Sequence, residues 1–185
     1  DLSGYVIGNR PGIATIIATA KDGNNVSAMV TVQVLSLTST DTKFIAHRGL
    51  SSDAPENTEA AFRRATQFNY WGIECDIWET TDHEFAISHD ESLSRMCGVD
   101  RKVTDMTLEE ATSYTVIAGN GRDEYPNEKI TSLDTYLSIL RDNRNAHAVI
   151  ELKMNDLSEM SASLLISKIY QYGLADRASF ISFNQ

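Results

Sequence analysis

Apolar and polar positions follow two different rhythms along the chain. Between residues 26 and 34 the sequence VSAMVTVQV alternates, with Val26, Ala28, Val30, Val32 and Val34 on one face and Ser27, Thr31 and Gln33 on the other. A period of two is that of a half-buried β-strand. Residues 13–20 (IATIIATA) make a second strand, and Lys21-Asp22-Gly23-Asn24-Asn25 between them forms a hairpin turn in which Asp-Gly supplies positive φ. Pro11-Gly12 marks a turn before the first strand. Residues 36–42 (SLTSTDT) are polar, rich in Ser and Thr, and read as a linker.

From residue 43 short apolar runs alternate with helical patterns. Strands are expected near 44–47, 73–78, 85–89, 148–153 and 179–183, and helices near 57–69, 107–114, 132–142 and 156–172. Thr107-x-x-Glu110 and Asp156-x-x-Glu159 have the spacing of capping boxes, and Gly173 is a natural stop after Tyr172. Strands alternating with helices predict a parallel sheet with crossover helices. An eight-stranded βα barrel takes about 250 residues, more than lie between positions 43 and 185. The pattern therefore fits either an open sheet or a barrel cut short.

Charge narrows the function classes. Of 185 residues, 26 are acidic and 16 basic, giving a net charge of −10. Such a surface disfavours nucleic acid, whose phosphates are held mainly by Lys and Arg. It leaves room for a small phosphorylated substrate. No apolar run approaches the roughly 18 residues of a membrane span. The chain lacks an initiator Met and a signal-like start, which reads as a sequence beginning inside a longer product. Cys75 and Cys97 are expected to be free thiols.

Strand parity then gathers the ionisable residues. His47 shares a face with Ile45, Glu74 with Asp76, His89 with Phe85 and Ile87, and Glu151 with Val149 and Lys153. Each strand runs from apolar residues to ionisable ones at its C-terminal end, where barrel enzymes keep their chemistry. Three crowded carboxylates repel one another and call for a hard cation, one Ca²⁺ or Mg²⁺, with Glu74, Asp76 and Glu151 as oxygen ligands. The bland alternative makes Glu74 and Asp76 polar residues of a half-exposed strand. Two strand-end histidines, His47 and His89, can act as general base and general acid. His83, in a turn, and His147, ahead of a strand, are expected to be exposed and inert. Arg48, followed by Gly49, can reach a phosphate as a bidentate donor, and Lys153 adds a point charge. A surface salt bridge is the plainer reading of Arg48.

These residues also carry a family resemblance. His47-Arg48-Gly49, Pro55-Glu56-Asn57-Thr58, Ala61-Phe62, Glu74-Cys75-Asp76, His89-Asp90, Glu151-Leu152-Lys153 and Ser182-Phe183, in this order, resemble the glycerophosphodiester phosphodiesterases over residues 43–185. Residues 1–35 resemble the C-terminal hairpin of a bacterial Ig-like group 2 domain. Together the resemblances imply an α/β fold, a TIM-type (β/α)8 barrel truncated after about five strands, behind an all-β Ig-like fragment. They imply metal-dependent hydrolysis of a small phosphodiester to glycerol phosphate and an alcohol. Glu74, Asp76 and Glu151 would bind the metal, His47 and His89 would move protons, and Arg48 and Lys153 would hold the phosphate. Glu56 would be a further ligand or a neighbour of the ligands, and Asn57 would support its loop. The chain departs from the family at Asp82-His83-Glu84, where Asp-Gly is usual, and at Asn184, where Asp is usual. The barrel's later strands would lie beyond Gln185. A phosphatidylinositol-type phospholipase C shares the barrel and paired histidines, and a non-catalytic surface-binding module is the alternative of another class. The Ig-like resemblance implies a bacterial protein outside the cell or at its surface, with cell-wall or surface association.

Overall fold

Contacts divide the chain into one unit ending at Thr42 and another beginning at Lys43. The computed structural model describes residues 8, 11–35 and 42–183. The expected linker, except Thr42, and Asn184 lie outside the described residues.

In the first unit β1 (Gly12–Thr19) and β2 (Ser27–Val34) pair antiparallel, from Gly12 opposite Val34 to Thr19 opposite Ser27. The turn closes as expected: Asp22 accepts the Asn24 backbone N–H at 3.0 Å, and Gly23 and Asn25 take positive φ. Ile13, Ile17, Met29 and Val30 are exposed.

The second unit is built on a sheet of order β6-β5-β4-β7-β8, with β3 also pairing β4. Four of its strands are parallel: β3 (Ile45–Ala46), β4 (Gly72–Glu79), β7 (His147–Leu152) and β8 (Ala178–Ile181). The expected run of five parallel strands is corrected here. β5 (Phe85–Ile87) returns antiparallel along β4, and β6 (Thr131–Ser132), which the sequence pattern does not predict, pairs antiparallel with β5. The cause is the Thr80–Glu84 connection, closed by Thr80 N–H on the Glu84 carbonyl at 2.9 Å. A parallel crossover needs about a dozen residues or more, so a turn this short can only make a hairpin. His83 takes φ +62 in that turn, the conformation that a glycine would adopt freely. The mixed sheet with its helices fits a fragment of a TIM-type barrel.

The helices follow their caps. α1 (Glu59–Ala65) starts at Thr58, whose hydroxyl accepts from Ala61 N–H, and α2 is one turn, Ser94–Cys97. α3 (Leu108–Ser113) carries both bonds of the Thr107/Glu110 capping box. α4 (Leu133–Asp142) is capped by Ser132. α5 (Glu159–Gln171) begins later than expected, because Ser158 rather than Asp156 accepts from the Ser161 N–H, at 3.1 Å. Its end at Gly173, with φ +68, agrees with the sequence.

Helices cover one face of the sheet. Ile73, Cys75 and Ile77 of β4 are fully buried in a core with Phe62, Tyr136, Leu137 and Leu140. Tyr136 ties the layers together by donating its hydroxyl to the Ile73 carbonyl at 2.6 Å and accepting Val149 N–H at 3.1 Å. A second core of Ala86, Leu93, Met96, Cys97, Val103, Met106, Ala111, Val116 and Ile130 lies beside the β5–β6 ribbon. Both cysteines are buried and free.

Gly49 fixes the loop after β3. Its φ is +75, and a Cβ there would stand 2.7 Å from the Ala61 carbonyl carbon and 2.8 Å from the Ala61 Cβ. Backbone bonds from Gly49 to Glu74 O (3.1 Å) and from Leu50 to Ala61 O (2.9 Å) hold it in place. Gly49→Ala is expected to destabilise the fold by about 2–4 kcal/mol, combining left-handed strain with overpacking. Chemical denaturation checks this; an unchanged midpoint would contradict the close approach.

Candidate functional site

β4 presents Ile73, Cys75 and Ile77 to the helices, so Glu74 and Asp76 share the opposite face. β7 lies alongside in parallel with Glu151 opposite Asp76. One carboxylate oxygen from each of Glu74, Asp76 and Glu151 falls within 4.8 Å of the others, and all three residues are buried. The bland reading of a half-exposed strand therefore fails. Among the described residues, neither Glu74 Oε1 nor Asp76 Oδ1, both buried, receives a hydrogen bond. Burial first, then the Asp76 charge, pushes the Glu74 carboxyl up to about 7, with Glu151 adding to the effect and the Arg48 backbone N–H opposing it. Buried carboxylate oxygens without donors, in an all-oxygen set, suit a hard divalent cation such as Mg²⁺ or Ca²⁺.

The loop after β3 closes over this cluster. Arg48 and Asn57 both adopt left-handed backbone, φ +57 and +59. Two such residues at one site are strained conformations held by their surroundings. Arg48 N–H donates to Glu74 Oε2 at 2.6 Å, and Asn57 N–H donates to the Arg48 carbonyl at 3.0 Å. The Arg48 guanidinium reaches Glu56 Oε1 at 3.1 Å and Asp76 Oδ2 at 3.3 Å, more than a surface salt bridge. Asn57 Nδ2 donates to Asp76 Oδ2 at 2.7 Å. Lys153 Nζ lies 2.9 Å from Glu151 Oε1 and 3.7 Å from Asp76 Oδ1. His47, its side chain 65% exposed, brings Nε2 to 4.0 Å from Glu74 Oε2.

His89 arrives by a different route from the one expected. It does not cap a parallel strand; β5 runs back along β4, and Ser88 N–H bonds the Asp76 carbonyl at 3.0 Å. The hairpin thus returns the chain to the level of the carboxylates. His89 lines a narrow crevice with Glu56 and Asn57, and its Nδ1 is 2.7 Å from Asp90 Oδ1.

Glu56 stands beside the carboxylate trio, the second of the two roles open to it: its Oε1 accepts from Arg48 at 3.1 Å and from Arg95 at 2.7 Å. Burial works upward on the Glu56 carboxyl, but Arg95 and Arg48 outweigh it and hold the group below its ordinary range. His147 is half-buried rather than exposed: it stacks on Trp71 with ring centroids 4.1 Å apart. His83 sits exposed in its turn, 2.7 Å from Glu79, as a turn histidine should. Arg95 joins the site although no sequence motif marks it. A cleft lined by Glu59, Asp82, Glu84, Glu109, Lys129 and Lys168 is separate from the trio.

Comparison with known proteins bears on this geometry. The sequence profile of the glycerophosphoryl diester phosphodiesterase family matches residues 47–181. A glycerophosphodiester phosphodiesterase of Caldanaerobacter subterraneus subsp. tengcongensis is 34% identical over 144 residues, covering 77% of this chain and 58% of the relative. Glycerophosphodiester phosphodiesterase 1 of Rattus norvegicus is 39% identical over 90 residues, 48% of this chain and 27% of the relative. An Oleispira antarctica phosphodiesterase, solved in complex with the product sn-glycerol-3-phosphate, superposes with a TM-score of 0.68 at 30% identity, covering 77% of this chain and 58% of that one. The chain thus spans 58% of the length of the first of these relatives. Among the described residues, no helix is long and apolar enough to cross a membrane.

Proposed function

The chain belongs to the glycerophosphoryl diester phosphodiesterase family, and from that premise we propose that it hydrolyses glycerophosphodiesters to glycerol phosphate and an alcohol at the rim of β4 and β7. The observation that carries the reading is the buried trio Glu74, Asp76 and Glu151, whose oxygens lie within 4.8 Å of one another. These residues would hold one divalent cation, Mg²⁺ or Ca²⁺, which when bound supplies positive charge for a phosphate oxygen and acidifies the attacking hydroxyl. Arg48 and Lys153 stand against the same carboxylates. They turn donors toward the remaining phosphate oxygens and offset the charge that builds there. His47 and His89 divide the proton work: one takes the nucleophile's proton, and the other gives a proton to the departing alkoxide. Asn57 holds Asp76 in place through its 2.7 Å bond.

Release of glycerol phosphate from glycerophosphocholine is the direct test. Chelation is expected to reduce the rate by at least about 100-fold, and added Mg²⁺ or Ca²⁺ to restore it. Undiminished activity in excess chelator would remove the metal from this reading. A preference for phosphatidylinositol in vesicles over soluble diesters would replace it with a phospholipase C.

The hairpin of the first unit is read as the end of an Ig-like module of a protein displayed outside the cell, with cell-wall or surface association. Its exposed Ile13, Ile17, Met29 and Val30 support this, since a two-stranded hairpin is marginal without a partner sheet.

A further inference from the structure

We propose that Asp90 and Arg95 are positioning residues for the reaction, together holding His89 with its proton on Nδ1 and leaving Nε2 free to exchange a proton at the phosphodiester. The inference rests on the phosphodiesterase reading above and on geometry. His89 Nδ1 lies 2.7 Å from Asp90 Oδ1, a carboxylate oxygen that can only accept. Nδ1 therefore carries the hydrogen, in the manner of a carboxylate that selects the tautomer of a catalytic imidazole. Asp90 is in turn held from two sides. Its Oδ2 accepts from Arg95 Nε at 2.6 Å, and its backbone carbonyl accepts from the Ser88 hydroxyl at 2.8 Å.

Arg95 does more than neutralise Asp90. Its Nη2 donates to Glu56 Oε1 at 2.7 Å, the same oxygen that accepts from Arg48 Nη1 at 3.1 Å. Arg48 then reaches Asp76 at 3.3 Å. A line of alternating charge, His89–Asp90–Arg95–Glu56–Arg48–Asp76, thus runs from the imidazole to the carboxylate trio. The planar guanidinium of Arg95 spans two carboxylates on separate loops, which an ammonium on a flexible stem does not reproduce. Arg95 sits on α2, in the segment between β5 and β6. That segment thereby sets the distance and orientation between the His89 turn and the Arg48 loop.

A spectroscopic readout combined with kinetics tests the proposal. In ¹⁵N-labelled protein at a pH where His89 is neutral, Nδ1 is expected to be protonated and Nε2 not. Asp90→Asn and Arg95→Met are expected to shift His89 toward the other tautomer or a mixture. Both should lower kcat for glycerophosphocholine at least tenfold while KM stays within about twofold. Arg95→Lys should recover part of the loss. Asp90→Asn keeps the side-chain volume and decides the question alone if Arg95→Met does not fold. A His89 tautomer unchanged in Asp90→Asn, or a wild-type kcat in that variant, would overturn the proposal. If the wild-type protein cleaves no phosphodiester, the hydrolase reading fails, while the tautomer measurement still decides whether Asp90 and Arg95 fix the imidazole.

Discussion

Glu74→Gln is expected to make the metal-free protein more stable than the wild type at pH 8, by on the order of 3 kcal/mol, and to abolish its hydrolysis. The carboxyl of Glu74 titrates near 7 in the fold against 4.5 for the free group, chiefly because it is buried and then because Asp76 is charged beside it. Between those two values the folded protein binds more protons than the unfolded chain, so stability falls as pH rises through that window. Above it the full penalty is present, since both states are ionised and only the folded one suffers for it. Glutamine removes the penalty and keeps the essential contact: its amide oxygen still accepts the Arg48 N–H that Glu74 Oε2 accepts at 2.6 Å. Its NH₂ can then point at the neighbouring carboxylates and relieve the crowding. Denaturant titrations from pH 4 to 9 should therefore show a falling stability in the wild type and a flatter profile in the variant. Divalent cation reverses the ranking. At a concentration of 1,000 times its dissociation constant it adds about 4.1 kcal/mol to the wild type, and it should add little to a site short of one negative ligand. Hydrolysis should drop at least about 100-fold. A variant that is less stable than the wild type in metal-free buffer at pH 8, or that still turns over, would contradict this account of the site.

Alternation along a strand is a local property, so the shared face of Glu74 and Asp76 could be read without any knowledge of neighbours, and Glu151 followed by the same parity. The capping box at Thr107 and Glu110 is equally local. What escaped depends on partners distant in sequence. The direction of β5 is set by the length of its turn, and a two-residue strand such as Thr131–Ser132 has no periodic signature at all. Leu93, Met96 and Cys97 keep a helical spacing for one turn only, and Val103, Met106 and Val116 extend it into no longer period, so their common core is visible only once packed. His147 reads as an exposed strand leader; it is half-buried because parallel pairing sets it against Trp71, just ahead of the adjoining strand β4. Glu56 shows the same limit at the site: its motif position left ligand and neighbour of the ligands both open, and the two guanidiniums on its oxygen, one from α2, come from partners the motif does not contain. A lone Arg95 in a one-turn helix offers no pattern to find, and its meaning lies wholly in the two carboxylates it joins.

Alanine in place of either His47 or His89 is expected to lower glycerophosphocholine turnover by about 10²–10⁴-fold, with the two variants separable by leaving group. Their surroundings differ: His47 is largely open to solvent and 4.0 Å from Glu74, while His89 is half-buried and braced by Asp90 at 2.7 Å. A choline alkoxide needs a proton as it departs, whereas a nitrophenolate leaves without one. With glycerophospho-p-nitrophenol, the variant that lacks the general acid should therefore regain most of the lost rate. The variant that lacks the base should not, because its nucleophile still has to surrender a proton. The result assigns the two roles without a bound substrate, since each histidine is judged by the bond whose cleavage or formation it assists. Full activity in both variants would remove the imidazoles from the chemistry. Rescue of both by the better leaving group would place both histidines on the departing side, leaving the nucleophile to be activated at the carboxylate trio alone.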